Sequence, residues 1–426
     1  MQPIITQLKN DITLLQLTDD RFRTGRLTAV LAVPLRESTA AGYAILPGLL
    51  TRCCRRYPTV AALNRRLDSL YGATVQADAL RLGQWQVLSF SVSYLRQRYT
   101  LSKEALAAEA AGLLLEMLFE PVLEGDGFRP ADFAQEQRIL TERLQAEINQ
   151  KRQYARHRCE QLLCPDDPYS VNPCGTPDTV AALTPQSAAE ALRTLLATAR
   201  IHFLYQDDAD AAALTAAIEQ RFDTLPQRRV VQQHTDNAYR LKESRQTEAM
   251  AVQQAKLVLG LRIAATEPDG PVMAARLMNA LLGGCPSSLL FRHVREEKSL
   301  CYYCASTYDR LHGVMLIDSG VETADAARTR DEILRQLEAI KAGNFSDKEL
   351  EAARRSLIQR FAAADETPAD REGWYLAQTL YDRYVTPAET AAQLAAVTRE
   401  EVCSVAQMTH FDTVYLLHPE GEEVSL

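Results

Sequence analysis

Histidine is scarce in this 426-residue sequence and poorly placed for holding a metal. The first of the seven is His157, and none of His157, His202, His234, His293, His312, His410 and His418 lies three or four residues from another. Two imidazoles one helical turn apart, the usual helix-borne start of a zinc site, are therefore missing. Positive charge is not in excess either. With 47 basic residues against 55 acidic ones the net charge is −8, which argues against a nucleic-acid partner, because phosphate binding needs a concentrated basic face. No uninterrupted apolar stretch reaches the length of a membrane span. The opening MQPIITQLKNDITLL lacks the charged start, apolar run and small-residue cleavage site of a signal peptide. No membrane association is expected, and the expected location is the cytoplasm.

The nine cysteines are odd in number and scattered, which fits free thiols in a reducing compartment. Cys301 and Cys304 match a C-x-x-C pattern but have no second Cys or His pair nearby. They are read as two small structural thiols, not as zinc ligands or a thioredoxin-type redox pair.

What is present is the composition of a soluble globular protein, 46% apolar and 24% charged. The length calls for two domains of roughly 200 residues. The two halves also say the same thing twice. In the first, a helical pattern over 59–69 leads to Leu70-Tyr71-Gly72, then alternating runs over 74–80 and 84–92, then a long helix over 103–119. In the second, a helix over 288–297 leads to Ser299-Leu300-Cys301, then runs over 302–308 and 314–321 around His312-Gly313, then a helix over 324–341. Phe128-Arg-Pro-Ala-Asp-Phe133 and Phe345-Ser-Asp-Lys-Glu-Leu350 both start long helices. Thr184 and Thr398 both look like capped helix starts, the second a full capping box with Glu401, and each helix is followed by a strand. The expected fold is α+β: two homologous domains, 1–224 and 246–426, each a largely antiparallel sheet with helices on one face. The polar, aperiodic stretch 225–245 reads as the linker.

One stretch carries a more specific signal. Gly283-Gly284-x-x-Ser287-Ser288-x-Leu290-Phe291-x-x-x-Arg295-Glu296 followed by Leu300-x-Tyr302 resembles a hallmark of the pitrilysin and mitochondrial-processing-peptidase family. Leu67-Asp68-x-Leu70-Tyr71-Gly72-Ala73, and Pro168-Tyr169 followed by Gly175-Thr176-x-x-Thr179-Val180-x-x-Leu183-Thr184, resemble the family too. The likeness spans nearly the whole chain in order. It implies a clamshell of α+β domains, of which this chain supplies half, around a chamber where short unfolded peptides are cut.

Active members carry an HxxEH motif on a first-domain helix, with histidines that bind zinc and a glutamate that activates water. A further glutamate ligand comes from a helix downstream. On that pattern Ala44 and Gly48 stand where the histidines belong, Pro47 where the catalytic glutamate belongs, and Arg143 at the downstream ligand position. Ala, Gly and Pro side chains neither ligate a metal nor move a proton, and a guanidinium repels a cation. No metal and no other cofactor is expected in this chain.

The resemblance also implies an Arg and a Tyr, seven apart in the second domain, that hold the substrate backbone over the zinc. Arg295 and Tyr302 have that spacing, with Arg295 near a helix end and Tyr302 near the start of the next strand. Both types donate hydrogen bonds to a peptide carbonyl or a developing oxyanion. The plain alternative is an arginine paired with Glu296 or Glu297 and a packed tyrosine. Tyr303 competes for the role if the register is off by one, but strand alternation puts it on the opposite face. Leu289, where members often carry an arginine, reads as structural. The glycine pair reads as allowing close backbone approach or a positive φ.

The function implied is that of a metal-site-deficient bacterial member of the family. It would be the non-catalytic, substrate-binding subunit of a heterodimeric zinc peptidase that cleaves small or unfolded peptides. An HxxEH-bearing sister subunit would hold the zinc, and in isolation the chain would be free to form a homodimer. The alternative is a binding or scaffold protein of the same fold with no peptidase role, like the core subunits of respiratory complexes.

Overall fold

The computed structural model describes residues 2–225, 228–231, 243–268, 270–422, 424 and 426. Most of the expected linker 225–245, and His234 with it, lies outside the described residues. Among the described residues no helix is long and apolar enough to cross a membrane. The chain forms two compact units, neither contiguous in sequence. The first comprises Met1–Gln145, Val171–His234 and Asp365–Thr386; the second comprises Ala146–Ser170, Thr235–Ala364 and Pro387–Leu426.

The strands of the first unit are β1 (Ile4–Leu8), β2 (Ile12–Gln16), β3 (Thr24–Pro34), β4 (Thr74–Leu82), β5 (Trp85–Leu95), a small hairpin of β6 (Leu123–Glu124) and β7 (Gly127–Phe128), and β8 (Arg200–Gln206). Six of them make one sheet in the order β1-β2-β8-β3-β5-β4, antiparallel except for β2 beside β8. Alternation along β3 sorts its residues by face. Leu27, Ala29, Leu31 and Val33 enter the core with Leu113, Leu114, Met117 and Leu118 of the Ala/Leu-rich helix Leu106–Phe119. Arg26 and Thr28 point the other way. Both bond Glu372 of the helix Pro368–Leu376, Arg26 Nε to Oε2 at 2.5 Å, while Arg26 Nη1 donates to Ser93 Oγ at 2.8 Å. The Asp382 carboxylate, from the same late segment, pairs with Arg200 and with His202 Nε2 at 2.9 Å on β8.

The second unit has β9 (Ser244–Met250), β10 (Ala255–Ile263), β11 (Tyr303–Asp309), β12 (Val314–Val321) and β13 (Thr409–Pro419), ordered β11-β12-β10-β13-β9. Only β9 and β13 run parallel. The order and directions repeat those of β4-β5-β3-β8-β2, so the duplication seen in sequence is a duplication of topology. The two-domain α+β class holds, with one addition: the sheet face away from each unit's own helices also carries a helix. In the second unit that helix is Lys151–Leu163, encoded in the first half of the chain. Its Ala155, Cys159 and Leu163 pack with Val258, Val314, Leu316, Tyr415 and Leu417. Gly260 of β10 makes the approach possible: a Cβ there would stand 3.0 Å from Leu163 Cδ2. Arg152 and Arg156 then pair with fully buried Asp318, Arg156 Nη1 to Oδ1 at 2.6 Å.

The expected caps form. Thr184 and Thr398 each accept the amide of the third helical residue, and Ser187 and Glu401 bond back to complete both capping boxes. Ser187 does with a hydroxyl what glutamate usually does, which is why the first box was not legible as a full one.

Candidate functional site

The stretch around Arg295 is built from closely packed, widened helical turns. The helix Val272–Asn279 runs on into a π-helical turn, Ala280–Gly284. Of the two readings of the glycine pair, close approach is the one realised. A Cβ on Gly283 would stand 2.7 Å from Leu290 Cδ1 and 2.8 Å from Ser306 N. Ser288 is buried and opens the next helix, its Oγ accepting the Phe291 amide at 3.4 Å. Leu289 is 3% exposed and packs inward, the structural place expected for it. The helix Leu290–Glu297 is again π-type. The chain leaves it through Ser299, at φ 51°, with the Leu300 amide bonding back to Val294 O at 3.0 Å. Tyr302 N then bonds Gly320 O at 2.9 Å and β11 begins.

This path brings Arg295 and Tyr302 to one open pocket of about 450 Å³, shared with Glu296, Ser299, Leu300, Cys301, Glu322 and Asp325. Tyr302 is 59% exposed and its hydroxyl donates to Glu322 Oε1 at 2.6 Å, which raises its pKa. The Arg295 guanidinium lies 4.8 Å from the Phe291 ring centroid, with Nε 3.6 Å from Glu296 Oε1. Glu297 is taken by His293, Nδ1 to Oε2 at 2.7 Å, and is not Arg295's partner in this pocket. Tyr303 faces the other side of the strand, as alternation requires. Its ring lies 4.5 Å from the Arg152 guanidinium, and burial first, with Asp318 second, pushes its pKa up to about 12.

The four positions that the resemblance sets against a metal site, Ala44, Pro47, Gly48 and Arg143, lie in the first unit. Ala44 ends the helix Glu37–Ala44, and Pro47 and Gly48 lie in the next, Leu46–Arg52, which follows directly through Ile45 in helical conformation, with the Ile45 amide bonded to Ala41 O at 3.2 Å and the Leu49 amide to Ile45 O at 3.3 Å. Over Gly48 sits Glu136, a residue sequence reasoning passed over. A Cβ on Gly48 would stand 2.1 Å from Glu136 Oε2, and Glu136 Oε1 accepts from Arg52 Nη1 at 2.8 Å. Arg52 Nε bonds Asp132 at 3.1 Å. An ion-pair cluster thus occupies the ground beside the helix. Arg143 projects to Asp78 Oδ1 of β4 at 3.4 Å, half exposed. Among the described residues no group of three or more His, Cys, Asp or Glu side chains is arranged to hold a metal ion.

Comparison with known proteins bears on this geometry. Residues 182–357 match the model of the peptidase M16 inactive domain. Over 405 residues, 93% of each chain, the sequence is 29% identical to a Bacillus subtilis (strain 168) protein named "Probable inactive metalloprotease YmfF". A conserved protein from Enterococcus faecalis V583 has a similar crystal structure, with TM-score 0.89, 24% identity, 99% of this chain and 100% of that one covered. The peptidase M16 inactive domain from Pseudomonas fluorescens superimposes with TM-score 0.81 at 15% identity, covering all of both chains. Fold and inactive-domain match make the chain similar to M16 peptidase chains of the inactive kind.

Proposed function

We propose that this chain is the substrate-binding subunit of a heterodimeric zinc peptidase acting on small or unfolded peptides in the cytoplasm. An HxxEH-bearing sister subunit holds the zinc, and this chain contributes no cofactor. Arg295 and Tyr302 donate hydrogen bonds to the carbonyl of the peptide being cut. The observation that carries the reading is that both side chains open into one pocket, in a chain whose own candidate ligand positions are Ala44, Gly48 and Arg143. Losing one donor to a developing oxyanion costs about a hundredfold in rate or more, and in this reading Tyr302 turns its hydroxyl from Glu322 to the peptide carbonyl.

The test is co-purification with a sister chain, followed by peptide cleavage by each alone and by the mixture. Cleavage is expected only in the mixture, falling about a hundredfold with Arg295→Ala or Tyr302→Phe while association persists. Chelator-sensitive cleavage by this chain alone, or full activity of the mixture carrying both substitutions, contradicts the proposal. So does the absence of any partner, which returns the chain to the scaffold reading.

A further inference from the structure

The face of the second sheet that carries the helix Lys151–Leu163 holds positive charge in excess of its acids. Tyr303 on β11, Gly320 on β12 and Lys256 on β10 form one register row across three strands. Because Gly320 has no side chain, the Tyr303 ring and the Gln254 amide close over it. A Cβ there would stand 2.6 Å from Tyr303 Cε1 and 2.7 Å from Gln254 Oε1. The Arg152 guanidinium lies 4.5 Å from the Tyr303 ring centroid and the Lys256 ammonium 5.9 Å from it, so two cations meet at one ring. The next row inward supplies a single carboxylate, Asp318, which is fully buried and already shared by Arg152 and Arg156. The helix adds to the imbalance by starting with Lys151 and Arg152, where acids are the favoured residues. Lys256 is half-buried, donates to the neutral Gln254 Oε1 at 2.7 Å and, among the described residues, has no acid partner. Burial first, and the Arg152 charge second, lower its pKa. The Tyr303 hydroxyl is enclosed and, among the described residues, meets no hydrogen-bond partner. An ammonium without a counter-ion and a phenol without an acceptor both call for an anionic oxygen.

We propose that Lys256, with Arg152 and the Tyr303 hydroxyl, forms a subsite for a peptide carboxylate next to the pocket of Arg295 and Tyr302. The subsite rests on the peptide-holding function proposed above and names the substrate class: peptides with an acidic side chain close to the held carbonyl. Glu322 ties the two places together. It lines the pocket and accepts from Tyr302, and it lies two residues beyond Gly320 on the same chain, about 7 Å along. An extended peptide covers that distance in about two residues, which sets the spacing between the acid and the carbonyl. The charges are divided by sign. Glu296, Glu322 and Asp325 around the pocket repel an acid there, while Lys256 and Arg152 receive it one row inward, which orients the peptide. The carboxylate accepts from the ammonium N–H groups that Gln254 leaves free and supplies the acceptor that the Tyr303 hydroxyl lacks.

The experiment measures, by fluorescence anisotropy at low salt, the binding of two labelled short peptides to the full-length protein. Both are built of alanine and serine and differ only in one central residue, Glu or Gln. The glutamate peptide is expected to bind about tenfold tighter, as a charge-assisted hydrogen bond allows. Lys256→Gln is expected to bring the glutamate peptide down to the affinity of the glutamine peptide. Tyr303→Phe keeps the ring, removes the unmet hydroxyl, and is expected to cut the preference about threefold. Circular dichroism checks both variants, and if one does not fold the other decides. Equal binding of the two peptides by wild type, or a preference that survives in both variants, overturns the carboxylate subsite and leaves peptide holding intact. If wild type binds neither peptide, peptide holding itself is overturned, and the subsite with it.

Discussion

The Tyr302 hydroxyl donates to Glu322 Oε1 across 2.6 Å, and both side chains line the pocket that receives Arg295. A carboxylate at that distance favours the protonated phenol, so Tyr302 stays a donor at higher pH than a free tyrosine would. Replacing the carboxylate by an amide removes that bias. In a phenolate titration read as the difference from Tyr302→Phe, Tyr302 is expected to ionise at lower pH in Glu322→Gln than in wild type. An unchanged titration would show that the hydroxyl is not held there in solution.

Gly48 gives a prediction with an unusual sign. In an exposed helix, glycine to alanine stabilises by up to about 1 kcal/mol. Here the new Cβ would lie 2.1 Å from Glu136 Oε2, so Gly48→Ala is expected to destabilise by about 1–3 kcal/mol in urea. Adding Glu136→Ala should recover much of that loss, and a double-mutant cycle with no coupling would contradict the packing described.

The pair Arg26 and Glu372 is buried on both sides, and Thr28 and Ser93 bond to it. Removing one partner leaves the other charge without compensation, so Arg26→Ala or Glu372→Ala should each cost about 3–5 kcal/mol. The double replacement should cost less than the sum, as measured by chemical denaturation.

His202 supplies the pH dependence. Burial lowers its pKa below the free value, although Asp382 pulls the other way. A histidine kept neutral by the fold takes up its proton more readily when unfolded. Its contribution is therefore complete above about pH 6.5 and is lost as pH falls below that. The Asp382 carboxylate is held below its ordinary range despite burial, mainly by its bond to His202, and its contribution fades only at more acidic pH. Denaturation midpoints at pH 7.5 and 5.5 should fall further apart in wild type than in His202→Gln.

Much of the architecture was legible because periods of two and of 3.6 residues switch at matching places in the two halves. The strands over 314–321 and 200–205, the helix after Thr59 and both capped starts all come directly from pattern. So does the placing of Arg295 at a helix end and Tyr302 at a strand start. Other features depend on partners distant in sequence. The helix Lys151–Leu163 is rich in arginine and reads in sequence as a solvated face, so nothing in its pattern says that a sheet receives it; Gly260 on β10 marks the place. Nor does spacing reveal that Glu136 lies over Gly48. The glycine pair illustrates the same limit, since sequence allowed two reasons for it and the neighbours of Gly283 decided between them.

The late segment Asp365–Thr386 belongs to the first compact unit, and Glu372 and Asp382 are among its anchors there. On the ribosome, the sheet finished by β8 must wait with Arg26 uncovered until nearly the whole chain has emerged. A gene divided at the middle would therefore yield two fragments, each missing a helix that only the other encodes. Deleting residues 365–386 should compromise the early half of the protein, not the late one.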